Sequence, residues 1–144
     1  MPRLLGLDIG DKRIGVSVSD ELGITAQGRE NIYRESDDQA INEICKLINQ
    51  LHIEEVIVGM PKNMNGTLGP QAEKVMKFSK ALASSARIPI KHWDERLTTV
   101  IAHKTITALN TKRKNKKKKV DRIASQLILQ GYLDNRSLKK RENV

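Results

Sequence analysis

The chain is poor in aromatic residues and cysteine. Its 144 residues include four aromatic side chains, which are Tyr33, Phe78, Trp93 and Tyr132. A surface on which single-stranded bases stack needs aromatic side chains in clusters, so such a surface is not expected. The single cysteine, Cys45, cannot form an internal disulfide, and this favours a reducing compartment.

Long apolar stretches and a targeting segment are absent as well. No window approaches the ~20 apolar residues that a membrane span needs. The N-terminal stretch MPRLLGLDIGDKR reaches charged residues too early for a signal peptide. We therefore expect a soluble cytoplasmic protein without a membrane partner. Its length fits one domain, since domains cluster around ~100–150 residues.

Positive charge, in contrast, is concentrated in one short segment. The net charge is +9, and residues 112–119 read KRKNKKKK, with seven basic residues and no acidic one. These basic residues are Lys112, Arg113, Lys114, Lys116, Lys117, Lys118 and Lys119. Such a segment indicates a polyanionic partner, and nucleic acid is the first candidate. The alternative is a solvated lysine loop that only aids solubility.

The apolar pattern predicts strands and helices in a mixed order. Apolar residues alternate with small or polar ones in residues 4–10 and 13–19, which the turn-forming GDK joins into a hairpin. A third strand is predicted in residues 25–33. After it, helices are predicted in residues 37–51, 70–86, 98–109 and 120–133, and strands in residues 54–61 and 88–95.

This element order predicts an α/β fold. An antiparallel start followed by strands that alternate with helices gives a mixed sheet with helices on its faces. We expect one domain in residues 1–135, with a basic loop in residues 110–119. Residues 136–144 are predicted to form a basic, frayed tail.

Asp8 is unusual because it lies in the middle of the first predicted strand. Aspartate is depleted in strands, and a buried carboxylate is costly unless a partner stabilises it. Gly6 and Gly10 flank Asp8 on the same face, which leaves room for a ligand or a second backbone. The alternative is that Asp8 belongs to a turn that begins early.

Two other acidic positions are candidates for the same site. Asp94 and Glu95 end the fifth strand, and only one of them can share a face with Asp8, because neighbouring side chains in a strand point to opposite faces. Asp121 opens the last helix beside its apolar stripe, although an acid there also suits the helix dipole. Three converging carboxylates without His or Cys would suit Mg²⁺ or Mn²⁺, and a pair of such ions would support phosphodiester cleavage.

The chain resembles the YqgF/RuvX family in four segments. These are GLDIGDKRIGVSVSD, GMPKNMNGTLGPQA, DERLTT and VDRIASQLILQGYL, which together span residues 6 to 133. Members of that family are described as Holliday-junction resolvases or as nucleases that process the 5′ end of precursor 16S rRNA. The resemblance implies an RNase H-like fold, a five-stranded mixed sheet whose first three strands are antiparallel. It also implies a metal-binding acidic triad at Asp8, Glu95 and Asp121.

The chain departs from the family pattern at two places. Asp11 stands where the family usually has threonine, serine or asparagine, so an extra carboxylate lies near the site. The last helix reads IASQ where an alanine-rich run is more usual. We expect Lys12, Arg13, Arg96 and the basic segment 112–119 to bind the phosphates of a nucleic acid.

Three functions compete at this point. The first is a metal-dependent nuclease that acts on structured RNA, most plausibly an rRNA precursor, and the second is a resolvase of four-way DNA junctions. The third is a non-catalytic nucleic-acid-binding regulator, which would gain nothing from three clustered acids. A sugar kinase or actin-like ATPase would need two such domains, and the GxxxxGK[ST] pattern of other nucleotide-binding proteins is absent.

Overall fold

A computed structural model describes residues 3–61, 68–94 and 119–142, with the side chains of the last helix described for residues 124–137. The strands are β1 (Arg3–Ile9), β2 (Arg13–Ser19), β3 (Ala26–Tyr33), β4 (Ile53–Met60) and β5 (Ile90–Asp94). The helices of these segments are α1 (Asp37–Leu51), α2 (Pro70–Ala86) and α3 (Lys119–Glu142). The helix predicted in residues 98–109 lies outside the described residues.

The five strands form one mixed sheet in the order β3-β2-β1-β4-β5. β1 pairs with β2 and β2 with β3 in antiparallel fashion, while β1 pairs with β4 and β4 with β5 in parallel. The predicted α/β fold with an antiparallel start is therefore confirmed. β1 lies in the centre, so its backbone is paired on both sides.

The two faces of the sheet carry different helices. Apolar residues of β1, β2 and β4 pack against α1 and α2 in the larger core, whereas α3 covers the other face in a smaller cluster that includes Leu4, Trp93 and Leu129. Ser36 caps α1, because its hydroxyl accepts a hydrogen bond from the Gln39 amide at 3.1 Å. Pro70 opens α2, where its missing N–H costs nothing.

α3 is longer than the apolar pattern predicted. The last apolar residue of its buried stripe is Leu133, yet the helix continues to Glu142. Residues 136–142 thus belong to the helix where a frayed tail was predicted, because no proline or glycine interrupts this stretch and its residues propagate a helix well. None of the helices in the described segments is long and apolar enough to cross a membrane.

α3 approaches β1 closely at Gly6. A Cβ at this position would overlap the Ser17 hydroxyl and would lie 2.8 Å from the Leu129 Cβ. The second flanking glycine serves the turn after β1: its amide donates to the Arg13 carbonyl at 3.0 Å, and a Cβ there would lie 2.6 Å from that oxygen. The space beside Asp8 is therefore used for helix packing at Gly6 and for chain reversal at Gly10.

We predict that Gly6→Ala lowers the free energy of unfolding by about 1–3 kcal/mol, because the added methyl group forces α3 away from β1. Denaturant unfolding measures this loss. Fluorescence of Trp93, the only tryptophan, reports the displacement, since its indole packs against Gly131 of α3. An unchanged unfolding midpoint would contradict the close approach.

Candidate active site

Asp8 lies near the end of β1 on the face that α3 covers. It is partly buried, and its Cα pairs with that of Gly15 in the β1–β2 ladder. Its strand neighbours Leu7 and Ile9 belong to the opposite, larger core. Because Asp8 is part of the ladder, the interpretation of this residue as an early turn residue is wrong.

The structure separates Asp94 from the Asp8 face. Asp94 pairs in register with Met60, whose side chain lies in the core formed with α1 and α2. The preceding residue, Trp93, belongs to the cluster under α3. Since paired residues of neighbouring strands point the same way, the Asp94 side chain faces away from the Asp8 side of the sheet. Glu95 lies outside the described residues.

Asp121 belongs to the first turns of α3, although its side chain lies outside the description. The contacts of α3 give its direction across the sheet. Ser125 meets Gly6, while Gln130 meets Ala26, which pairs with Ser19 near the start of β1. α3 therefore runs from the Asp8 end of β1 toward the Leu4 end, and its first turns belong to the same end of the sheet as Asp8.

Two buried glutamines fasten α3 to the edge strand β3. The Gln130 side-chain carbonyl accepts from the Ala26 amide at 2.9 Å, and its NH₂ group donates to the Ile24 carbonyl at 2.9 Å. Gln126 donates to the Ala26 carbonyl at 3.2 Å. Both backbone polar groups of Ala26 are thereby satisfied by α3, so the helix cannot shift along this edge without breaking buried hydrogen bonds.

A cluster around Tyr132 fastens α3 at the opposite edge. The Tyr132 hydroxyl donates to Glu55 at 2.9 Å and accepts from Lys91 at 3.3 Å, and its ring meets Trp93 edge to face with centroids 6.0 Å apart. Burial, followed by the hydrogen bond to Glu55, raises the pKa of Tyr132. The hydrogen bond with Tyr132, and then that with Glu55, raises the pKa of Lys91. The phenol and the ammonium group therefore both keep their protons at neutral pH.

Sequence reasoning missed these anchors. It treated Ser125 and Gln126 in the IASQ stretch as a mild departure from an alanine-rich helix. The signal in the sequence was that polar residues recur at Ser125, Gln126 and Gln130 within an otherwise apolar run. In the structure all three side chains are at most 4% exposed. Buried polar side chains are nearly always hydrogen-bonded, so they mark fixed contacts.

The turn after β1 presents Lys12 and Arg13 at the surface, next to the strand end that carries Asp8. The extra carboxylate Asp11 lies 3.5 Å from the Lys74 ammonium group of α2. Both side chains are about two-thirds exposed, so this pair contributes at most about 1 kcal/mol. Asp11 thus lines a cleft of about 240 Å³ on the α2 side of the sheet, whereas Asp8 belongs to the α3 side.

The remaining predicted site residues lie outside the described side chains. Arg96 and residues 112–118 lie outside the described segments, and Lys119 is described only as the first residue of α3. Among the described side chains, no three His, Cys, Asp or Glu residues form a group that could hold a metal ion. Of the predicted triad, only the Asp8 side chain belongs to that described set.

Comparisons with known proteins agree with this fold. Residues 2–135 match the family model described as "RuvX: Holliday junction resolvase". A Clostridium novyi protein named "Putative pre-16S rRNA nuclease" is 52% identical over 132 residues, which cover 92% of this chain and 98% of that protein. A protein of the same name from Desulforamulus reducens is 48% identical over 132 residues, or 92% of this chain and 96% of that protein.

Solved structures extend the likeness to more distant proteins. T. thermophilus RuvC in complex with a Holliday junction substrate superposes with a TM-score of 0.63 at 14% identity, covering 94% of this chain and 96% of that one. The Fowlpox virus resolvase in complex with Holliday junction DNA gives a TM-score of 0.55 at 14% identity, covering 92% and 97%. These structures share the RNase H-like fold of the resolvases. By its family match and its close relatives, the chain belongs to the RuvX family.

Proposed function

We propose that this protein is a metal-dependent nuclease that hydrolyses phosphodiester bonds in the 5′-end processing of precursor 16S rRNA, in the cytoplasm. The observation that carries the proposal is the position of Asp8, at the end of the central strand and on the face that α3 covers. The names of the close relatives support the substrate.

In this proposal Asp8, Glu95 and Asp121 form the acidic site. Two observations support the choice. Asp94 faces the opposite core, which leaves Glu95 as the acid of that pair, and α3 begins at the Asp8 end of the sheet. A set of carboxylate oxygens without His or Cys fits Mg²⁺ or Mn²⁺. Two such ions would activate a water molecule and stabilise the leaving oxygen.

The basic residues would hold the substrate. Lys12 and Arg13 lie at the turn after β1, next to the end of the strand that carries Asp8. Arg96 directly follows Glu95 in the sequence, and the basic segment 112–119 ends two residues before Asp121, so both add positive charge close to proposed acids along the chain. Contacts with phosphates position a nucleic acid without reading its bases, so recognition would depend on the shape of the RNA.

A second candidate is a resolvase of four-way DNA junctions. The description of the family model and the likeness to RuvC bound to a junction favour it. A resolvase cuts two strands symmetrically, so this function needs a two-fold symmetric dimer. A stable dimer that cleaves synthetic junctions would support the resolvase, whereas a monomer that trims RNA would exclude it.

We expect Asp8→Asn, Glu95→Gln and Asp121→Asn each to lower cleavage at least about 100-fold, since even the loss of a residue that only supports a metal ligand costs 10–100-fold. Cleavage of a precursor rRNA fragment and of a four-way junction would be measured side by side in Mn²⁺. Asp94→Asn is the matched control, because its carboxylate faces the other core. Retained cleavage in Asp8→Asn, or equal losses in Asp94→Asn and Glu95→Gln, would contradict the proposed site.

Replacing Lys116, Lys117, Lys118 and Lys119 by glutamine should flatten the salt dependence of RNA binding. Each lost phosphate contact lowers the slope of log K against log salt by about 0.7–0.9. Lys46→Gln with Lys80→Gln serves as the control, since both lysines are exposed on α1 and α2, away from α3. If the quadruple variant keeps the wild-type slope, the basic segment does not contact the substrate.

A further inference from the structure

Two buried hydroxyl groups join α3 to the centre of the sheet. The Ser17 hydroxyl donates to the Ser125 backbone carbonyl at 3.0 Å. The Ser125 hydroxyl lies 3.0 Å from the Gly6 carbonyl and 2.9 Å from the Ser17 hydroxyl, so its one proton is shared between these two acceptors. Ser17 and Ser125 are both 0% exposed. We call this pair the serine latch.

The latch lies close in sequence to two proposed acids, to Asp8 along β1 and to Asp121 along α3. Gly6, to which Ser125 bonds, precedes Asp8 by two residues and shares its face of β1, because side chains alternate along a strand. Ser125 follows Asp121 by four residues, which is about one turn of α3. The latch therefore joins β1 and α3 close to the ends of these elements that carry Asp8 and Asp121.

The other hydrogen bonds shown between α3 and the sheet reach strands other than β1 and β2. Gln126 and Gln130 bond to the edge strand, and Tyr132 bonds to β4 and β5 residues farther along the helix. Among the α3 side chains that the structure describes, Ser125 is the first that hydrogen-bonds to β1 or β2. Of the described contacts of α3, the latch is therefore the one best placed to set the spacing between β1 and the start of the helix.

Hydroxyl groups hold α3 in a defined position against β1 better than methyl groups would. Apolar packing is non-directional, so an alanine pair would fix the position of the helix along β1 less tightly. Hydrogen bonds fix both distance and direction, and a buried hydroxyl that loses its partner is costly. Since Gly6 has no Cβ, the helix comes close enough for its serine to reach the strand carbonyl.

We propose that Ser17 and Ser125 are positioning residues that set the distance between β1 at Asp8 and the helical turn that carries Asp121, and through it the affinity of the proposed carboxylate site for a divalent ion. This inference rests on the proposed function, because it assumes that these carboxylates share an ion. The serines do not touch the ion or the substrate. They act by holding α3 against β1.

Ser17→Ala and Ser125→Ala would each be titrated with Mn²⁺ by calorimetry without nucleic acid, and their unfolding midpoints would be recorded in EDTA. Ser19→Ala is the matched control. Ser19 lies on the same strand and face as Ser17 and is 0% exposed, but its hydroxyl accepts from the Leu4 amide at 2.8 Å and bonds to none of the α3 side chains described in residues 124–137. We expect about tenfold weaker Mn²⁺ binding in the two latch variants. Ser19→Ala should lose comparable stability and keep the wild-type affinity.

The outcomes separate this inference from the proposed function. If wild type and Asp8→Asn bind Mn²⁺ equally, the metal site itself is wrong, and the latch has nothing to position. If Asp8→Asn loses binding but both latch variants match wild type, only the latch is overturned. Equal weakening in Ser19→Ala would mean general loosening and would also overturn it. Ser17→Cys keeps a hydrogen-bonding group at this position, with a larger atom and a weaker hydrogen bond, so it should give an intermediate affinity even if an alanine variant does not fold.

Discussion

The close contact between α3 and β1 at Gly6 is the constraint on which the proposed site depends. A strand normally keeps a helix at the distance that its side chains impose. Here a strand residue without a side chain meets Leu129, and the Ser125 hydroxyl reaches the strand carbonyl. The start of α3 is consequently tied to the central strand itself. Any residue that the first turns of α3 carry is therefore held relative to the end of β1.

The two faces of the sheet are built on different principles. The face toward α1 and α2 is an apolar core, in which packing tolerates small shifts of a helix. The face toward α3 combines a smaller apolar cluster with buried hydrogen bonds from Ser125, Gln126 and Gln130. Directional bonds of this kind specify one position of the helix. The larger apolar core thus lies on the face away from Asp8, and the directional contacts lie on the face that carries the proposed site.

Charged residues cluster near the end of β1 that carries Asp8. At the Asp8 end, the turn after β1 exposes Lys12 and Arg13, while Asp11 is drawn to Lys74 on the α2 side. Asp11, the extra acid of the turn, therefore lies on the opposite face of the sheet from Asp8. Lys12 and Arg13 thus lie at the strand end that carries Asp8, and the basic segment 112–119 leads along the chain into α3, whose first residue is Lys119.

Local patterns in the sequence determined the elements and their order, because strand alternation, helix caps and turn residues depend on near neighbours alone. They also singled out Asp8 and the resemblance to the RuvX family. Only the tertiary structure decided that Asp94 faces the core formed with α1 and α2, away from Asp8, since this depends on its register with Met60. The serine latch and the glutamines of α3 also escaped the sequence, because their partners lie more than 90 residues away along the chain. The hydrogen-bond partner of a polar helix residue is fixed only when the fold brings the helix against the sheet.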